Sequence, residues 1–153
     1  MTGQQDIAAL VPHKGKMLLI DTIISVDREG KSLVSQVRVG CDDTFFDREL
    51  GGVPAYVSFE YMAQSISALS ALTGTREEPR PGVILSVSNL SCTHGVFQEG
   101  AEVRIHVRED CRVGDLLTYD CAALVGEETV VSCTLMVMEA ESLEKLSARK
   151  EEN

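Results

Sequence analysis

The stretch from Pro54 to Thr73 constrains this chain more than any other, because it reads as one long helix without a clean polar face. Ala55, Val57, Phe59, Met62, Ala63, Ile66, Ala68, Leu69, Ala71 and Leu72 fall all around it, and Ser58, Ser65, Ser67 and Ser70 fill the gaps. A helix apolar nearly all round is buried on most sides. Its small residues let a neighbouring sheet come close. Glu60 is the only charged residue in it. Pro54 suits the first helical position, where a missing N–H loses nothing, and Gly74 marks the stop.

The flanking segments supply a sheet to bury that helix. Upstream, Met17 to Val26 is rich in Leu and Ile and reads as a well-buried strand. Asp27 to Lys31 is a hairpin turn, and Ser32 to Val39 follows in a broken period-two pattern. Gly40 to Gly52 is a loop carrying Phe45-Phe46 and Gly51-Gly52. Downstream of a polar connector over 75–81 come four strand-like stretches, Gly82–Thr93, Ala101–Asp110, Asp115–Val125 and Thr129–Glu139. Asp6 is placed to cap one or two helical turns over Gln5 to Val11. Segregated strands around a single helix indicate an α+β domain, not a parallel α/β sheet. Residues 1–141 read as one domain and 142–153 as a charged tail.

Composition removes several function classes. A formal net charge of −10 argues against nucleic-acid binding, which needs a basic footprint to neutralise phosphates. An acidic protein partner would have to dock through a local basic patch drawn from Lys14, Lys16, Arg76, Arg80, Arg104, Arg108 and Arg112. No apolar run approaches the roughly 20 residues that span a bilayer, and no secretory leader pattern opens the chain. The five cysteines are odd in number and without CxxC spacing, which reads as reduced, mostly buried thiols in a cytoplasmic protein. Cys92 and His94 have no second ligand pair to complete a tetrahedral zinc site, so no metal is expected.

Two segments carry a family resemblance. Leu10-Val11-Pro12-His13-Lys14-Gly15-Lys16-Met17-Leu18-Leu19-Ile20-Asp21 is similar to the opening of the 3-hydroxyacyl-acyl carrier protein dehydratases of fatty-acid synthesis. Val53-Pro54-Ala55-Tyr56-Val57-Ser58-Phe59-Glu60-Tyr61-Met62-Ala63-Gln64 resembles the start of their central helix, and in detail the variant in dehydratase-like proteins of aryl-polyene pigment clusters. The resemblance implies a hot-dog fold, a curved antiparallel six-stranded sheet wrapped around one long central helix, working as a dimer with active sites at the subunit interface. It departs at the helix-start glycine, which is replaced by Ala55, and at one further stretch. The family places a catalytic histidine in Gly-His-Phe-Pro-Gly just before the helix, whereas Phe45-Phe46-Asp47-Arg48-Glu49-Leu50-Gly51-Gly52 is shorter and has none.

Dehydrating a 3-hydroxyacyl thioester needs a base for the C2 proton, an acid for the departing hydroxyl, and donors for the thioester oxygen. Glu60, a lone carboxyl in an apolar helix, is the expected acid. Of the three histidines, His106 alternates with Ile105 and Val107 and reads as a solvent-face residue, and His94 sits at a strand end. His13, in the loop before the first buried strand, is the expected base, drawn from the protomer opposite to Glu60. The amides of Ala55 and Tyr56, at the positive end of the helix, are expected to face the thioester oxygen. Gly52 would admit the pantetheine arm, and Tyr56, Ser58 and Gln64 would add side-chain hydrogen bonds to substrate.

The expected activity is conversion of a 3-hydroxyacyl chain on acyl carrier protein to the trans-2-enoyl thioester, with no cofactor. Two alternatives stay open: an acyl thioesterase on the same fold, and a non-catalytic hot-dog subunit partnering an active dehydratase. The dimer is homomeric or mixed with a second hot-dog subunit.

Overall fold

The protein was described from a computed structural model, covering residues 7–10, 15–74, 82–139, 144–145 and 147–148. Among the described residues, eight strands and one long helix make up the fold. β1 (Thr22–Asp27) and β2 (Ser32–Arg38) form a hairpin, and β3 (Gly52–Pro54) leads through a 3-10 turn at Ala55–Val57 into α1 (Ser58–Thr73). β4 (Gly82–Cys92), β5 (Val96–Gln98), β6 (Glu102–Val113), β7 (Leu116–Val125) and β8 (Glu128–Glu139) follow.

Six strands form one antiparallel sheet in the order β1-β2-β6-β7-β8-β4, while β3 and β5 make a separate small pair. The sheet's inner face follows strict alternation. Val103, Ile105 and Val107 of β6 are buried, as are Leu117, Tyr119, Cys121 and Ala123 of β7, with their neighbours facing out. This inner face packs on α1, whose buried residues include Tyr61, Met62, Ser65, Ile66, Ala68 and Leu69. Bulges in β1, β4, β6 and β8 break the ladder registers and add bend to the sheet. The expected α+β hot-dog architecture is the observed one.

The differences from expectation are local. The first strand begins at Thr22 and not Met17, because residues 15–17 form a 3-10 turn and the backbone of Met17, Leu19 and Ile20 is hydrogen-bonded by Gln64 instead of a strand. Pro54 ends β3 in extended conformation and caps the 3-10 turn from outside it. Gly74 closes α1 as expected, but with extended backbone, its N–H donating to the Ser70 carbonyl. Arg28 donates to the Leu72 carbonyl, a cation at the negative end of the helix. Three of the five cysteines, Cys41, Cys92 and Cys111, are exposed, and only Cys121 and Cys133 are buried. The expectation of mostly buried thiols is corrected accordingly. The helix expected over residues 5–11 falls only partly on described residues, where Leu10 N–H donates to the Ile7 carbonyl at 2.8 Å.

β4 differs from every other long strand. It pairs with β8 on one side only, carries no charged residue, and is exposed along most of its length. Leu85, Val87 and Leu90 stand out of it, Leu90 at 55% exposure. No described helix is long and apolar enough to cross a membrane.

Candidate active site

Glu60 sits in the first turn of α1, half-buried. One turn further along, Gln64 is completely buried, and its Nε2 lies 3.4 Å from Glu60 Oε1. The same nitrogen donates to the Met17 carbonyl at 2.6 Å. The side-chain oxygen accepts from Leu19 N–H at 2.9 Å and Ile20 N–H at 3.4 Å. Both amide protons and both oxygen lone pairs are therefore used within the chain. The expected hydrogen bond from Gln64 to substrate is replaced by this internal set.

Ala55 N–H donates to the Gly95 carbonyl at 2.8 Å, extending the β3–β5 pairing, so this amide does not face a thioester oxygen as expected. Ser58 is buried and its hydroxyl donates to the Ala55 carbonyl at 2.7 Å, which removes it from substrate contact. Tyr56 N–H, second in the 3-10 turn, has no carbonyl upstream within the turn to bond. The Tyr56 side chain is 71% exposed.

Gly52 is required for a reason internal to the chain. A Cβ there would lie 2.0 Å from the Phe97 carbonyl oxygen, because β3 runs tightly against β5. The expectation that it makes room for pantetheine gives way to this backbone contact. Gly51 takes a left-handed φ of 70° that only glycine adopts without strain.

His13 lies outside the described residues. His106 is on the outer face of β6, and burial, then the nearby Arg104, hold its ring below the usual imidazole range. His94 is exposed after β4, with Nδ1 2.9 Å from Thr93 Oγ1 and 3.5 Å from Glu128. Among the described residues no cluster of His, Cys, Asp or Glu could hold a metal ion. Of the basic residues proposed for docking an acidic partner, Arg108 faces Asp120 and Arg112 faces Glu109, each at 3.3 Å. Lys14, Arg76 and Arg80 lie outside the described residues.

A cleft of about 210 Å³ opens beside Tyr61, walled by Leu19, Asp21, Val37, Arg38, Asp43 and Phe45 among others. Sequence reasoning missed it. Burial, then the Asp43 and Asp21 charges, push the Tyr61 phenol well above its ordinary range. Asp21 accepts from Arg38 N–H at 2.7 Å. The available signal was Asp21 at the end of the first motif, a carboxyl set directly after four apolar residues.

A family model described as ApeP dehydratase matches residues 5–148. The chain belongs to the ApeP-like dehydratase family. Two curated relatives are 3-hydroxyacyl-[acyl-carrier-protein] dehydratases, both named FabZ. The one from Rhodospirillum rubrum is 27% identical over 86% of this ApeP-like chain and 84% of its own length. The one from Chlamydia trachomatis is 36% identical, but over 44% of this chain and 46% of its own length, so that match spans about half of the relative. Among solved structures, the dehydratase heterocomplex ApeI:P from Xenorhabdus doucetiae superposes with a TM-score of 0.80 at 20% identity, covering 92% of this chain and 95% of that one. A putative thioesterase from Ralstonia eutropha superposes at 0.59 with 23% identity, over 76% and 83%. At these identities the two structures show that the fold is shared.

Proposed function

We propose that this ApeP-like protein dehydrates a 3-hydroxyacyl thioester carried on acyl carrier protein, in synthesis of the fatty-acid or aryl-polyene type. The base takes the C2 proton, the C3–O bond breaks, the acid protonates the departing hydroxyl, and water leaves a trans-2-enoyl thioester. Glu60 is the acid. His13 is the base, and Tyr56 N–H faces the thioester oxygen as negative charge develops on it.

The observation that carries the reading is the junction at the helix entrance. A half-buried carboxyl on the first turn of α1 is joined through Gln64 to Met17, four residues downstream of His13 in sequence. The working unit is a dimer formed through the open edge of β4, which is long and uncharged and exposes Leu85, Val87 and Leu90. Unpaired strand edges of this kind are a template for another chain. Free cysteines agree with a reducing cytoplasm.

A second reading is favoured by one observation, the absence of histidine from Phe45 to Gly52. In it the chain is one half of a mixed hot-dog dimer whose other subunit supplies the base, an arrangement consistent with the Xenorhabdus structure being a heterocomplex.

Purified protein is to be assayed with a 3-hydroxyacyl pantetheine thioester, beside His13→Ala and Glu60→Gln. Dehydration by the wild type, lost in both folded variants, supports the pair. A silent wild type that turns over substrate only with a second hot-dog subunit moves the base to that subunit. Release of free acid in place of enoyl thioester sinks the dehydratase reading and leaves a thioesterase.

A further inference from the structure

We propose that the cleft beside Tyr61 is a binding site for a primary alkylammonium group, held by the Tyr61 hydroxyl and the carboxylates of Asp21 and Asp43. The site stands whether or not Glu60 and His13 are the acid and base, and its test reads binding, not turnover.

Tyr61 is only 2% exposed, and its ring lies 6.5 Å from that of Phe97, centroid to centroid. A buried phenol ordinarily finds a hydrogen-bond partner. Among the described residues this hydroxyl makes no hydrogen bond, although the Tyr61 carbonyl accepts from Ser65. The side chain walls the cleft between the segment 18–21, β2 and the loop 42–45. The charges of Asp43 and Asp21 act on its hydroxyl there. The phenol is therefore a buried polar group turned toward open space.

The two carboxylates are fixed by backbone. One oxygen of Asp21 accepts from Arg38 N–H at 2.7 Å, and one oxygen of Asp43 from Gly40 N–H at 2.8 Å. The second oxygen of each accepts no hydrogen bond among the described residues, and no described Lys or Arg pairs with either. Arg38 also borders the cleft, but it is exposed and forms no ion pair there. Asp42 adds a third negative charge to the wall. Like charges gathered partly out of water disfavour one another, and a cation between them relieves this. A net charge of −10 draws cations to the chain in general.

Size and walls decide which cation. The cleft, at about 210 Å³, exceeds the roughly 150 Å³ that takes a benzene ring, so a bare ion would leave most of it unfilled. Among the described residues no His, Cys, Asp or Glu cluster fits a metal. Leu18, Leu19, Val37, Val53 and Phe45 give the cleft apolar sides on which an alkyl stem can lie. A primary ammonium has three N–H donors, and the site offers three acceptors: the Tyr61 hydroxyl and one free oxygen each of Asp21 and Asp43.

The full chain is to be titrated with n-butylammonium chloride at about pH 7.5, where carboxylates are ionised and the amine protonated. Butan-1-ol and potassium chloride serve in parallel, at constant ionic strength, with backbone amide resonances as the readout. Butylammonium is expected to saturate in the millimolar range usual for so small a ligand, moving the signals of Asp21, Asp43 and Tyr61. A wild type whose signals at these residues do not move overturns the site without recourse to any variant. Butan-1-ol or potassium saturating the same signals at equal concentration overturns the choice of an alkylammonium.

Tyr61→Phe keeps the ring and removes one acceptor. Asp21→Asn keeps an oxygen for Arg38 N–H and removes the charge. Each is expected to weaken butylammonium about tenfold or more, as loss of a hydrogen bond to a charged group does. Asp115→Asn, on the exposed turn between β6 and β7, removes an equal charge outside the cleft and is expected to change affinity less than about twofold. Equal losses in all three variants would mean diffuse attraction to an acidic protein, and unchanged affinity in Tyr61→Phe and Asp21→Asn would place the amine elsewhere. Either result sinks the proposal.

Discussion

Ser35 of β2 and Ser65 of α1 meet through their hydroxyls at 2.7 Å, both completely buried between sheet and helix. Ser65 also donates locally, to the Tyr61 carbonyl at 2.8 Å, so one of its two contacts is intrahelical and the other crosses the core. The pair registers the central helix on the sheet at one point along β2. Removing either hydroxyl leaves the other without its partner. We expect Ser35→Ala to cost about 1–3 kcal/mol in urea unfolding, and Ser35→Ala with Ser65→Ala to cost clearly less than the sum of the two single changes. Strict additivity would mean that the hydroxyls do not act as a pair.

Gly52→Ala tests the closest backbone approach in the fold. The added methyl would meet the Phe97 carbonyl carbon and oxygen, at 2.9 Å and 2.0 Å, and backbone has little room to give. Separation of β3 from β5 and a loss of about 2 kcal/mol or more are expected, read from chemical denaturation. Full stability in the variant would show that β3 moves freely.

Asp21 predicts a pH effect with a definite sign. Burial raises its carboxyl, the Arg38 N–H works in the opposite direction, and Asp43 raises it further, with the balance above the ordinary value. A carboxyl raised in the fold favours folding most fully below its unfolded value, and that contribution is lost as pH rises through the folded one. Ionised Asp21 thus works against folding near neutrality. Asp21→Asn keeps an oxygen for Arg38 N–H and should melt higher than wild type at about pH 7.5, with the gap closing as the pH falls to about 3. An unchanging gap would mean that Asp21 ionisation is not its source.

The open edge of β4 predicts assembly state. Leu85→Lys with Leu90→Lys places two charges on an edge that has none, the device by which strand edges are kept apart. Light scattering should show a monomer that keeps its far-ultraviolet circular dichroism. A variant that remains dimeric would place the interface elsewhere.

Thiol labelling gives an independent check on the sheet. Burial pushes Cys133 up to about 11 and raises Cys121 further, and the two face one another across β7 and β8. Cys41 and Cys111 should alkylate in the native protein, and Cys121 and Cys133 only on unfolding. Native labelling of all five would show an inner face open to solvent.

The central helix and the main strands were legible because their signals are long. Nearly twenty residues of apolar helix and runs of alternating Val, Leu and Ile leave little choice of element. β3 and β5 were not legible, being three residues each and held by pairing with one another. The site was legible in residue type but not in partner. Glu60 stands out in its helix from sequence alone. That Ala55 N–H would go to Gly95, Ser58 to its own turn, and Gln64 to Met17, Leu19 and Ile20 depends on contacts set only by the folded chain. The first strand is shorter than its apolar run suggests for the same reason, since Leu19 and Ile20 bond to a side chain and not to a strand.

The sheet order also bears on how the protein is made. β4 leaves the ribosome well before β8, yet among the described residues β8 is the strand it pairs with in the sheet. A nascent chain therefore carries an uncharged strand without its sheet neighbour until Glu128–Glu139 has been synthesised. Pairing across such a sequence separation is slow to close, and the unpaired segment is open to misassociation meanwhile. The open edge of β4 can therefore take its native form only once β8 has been made.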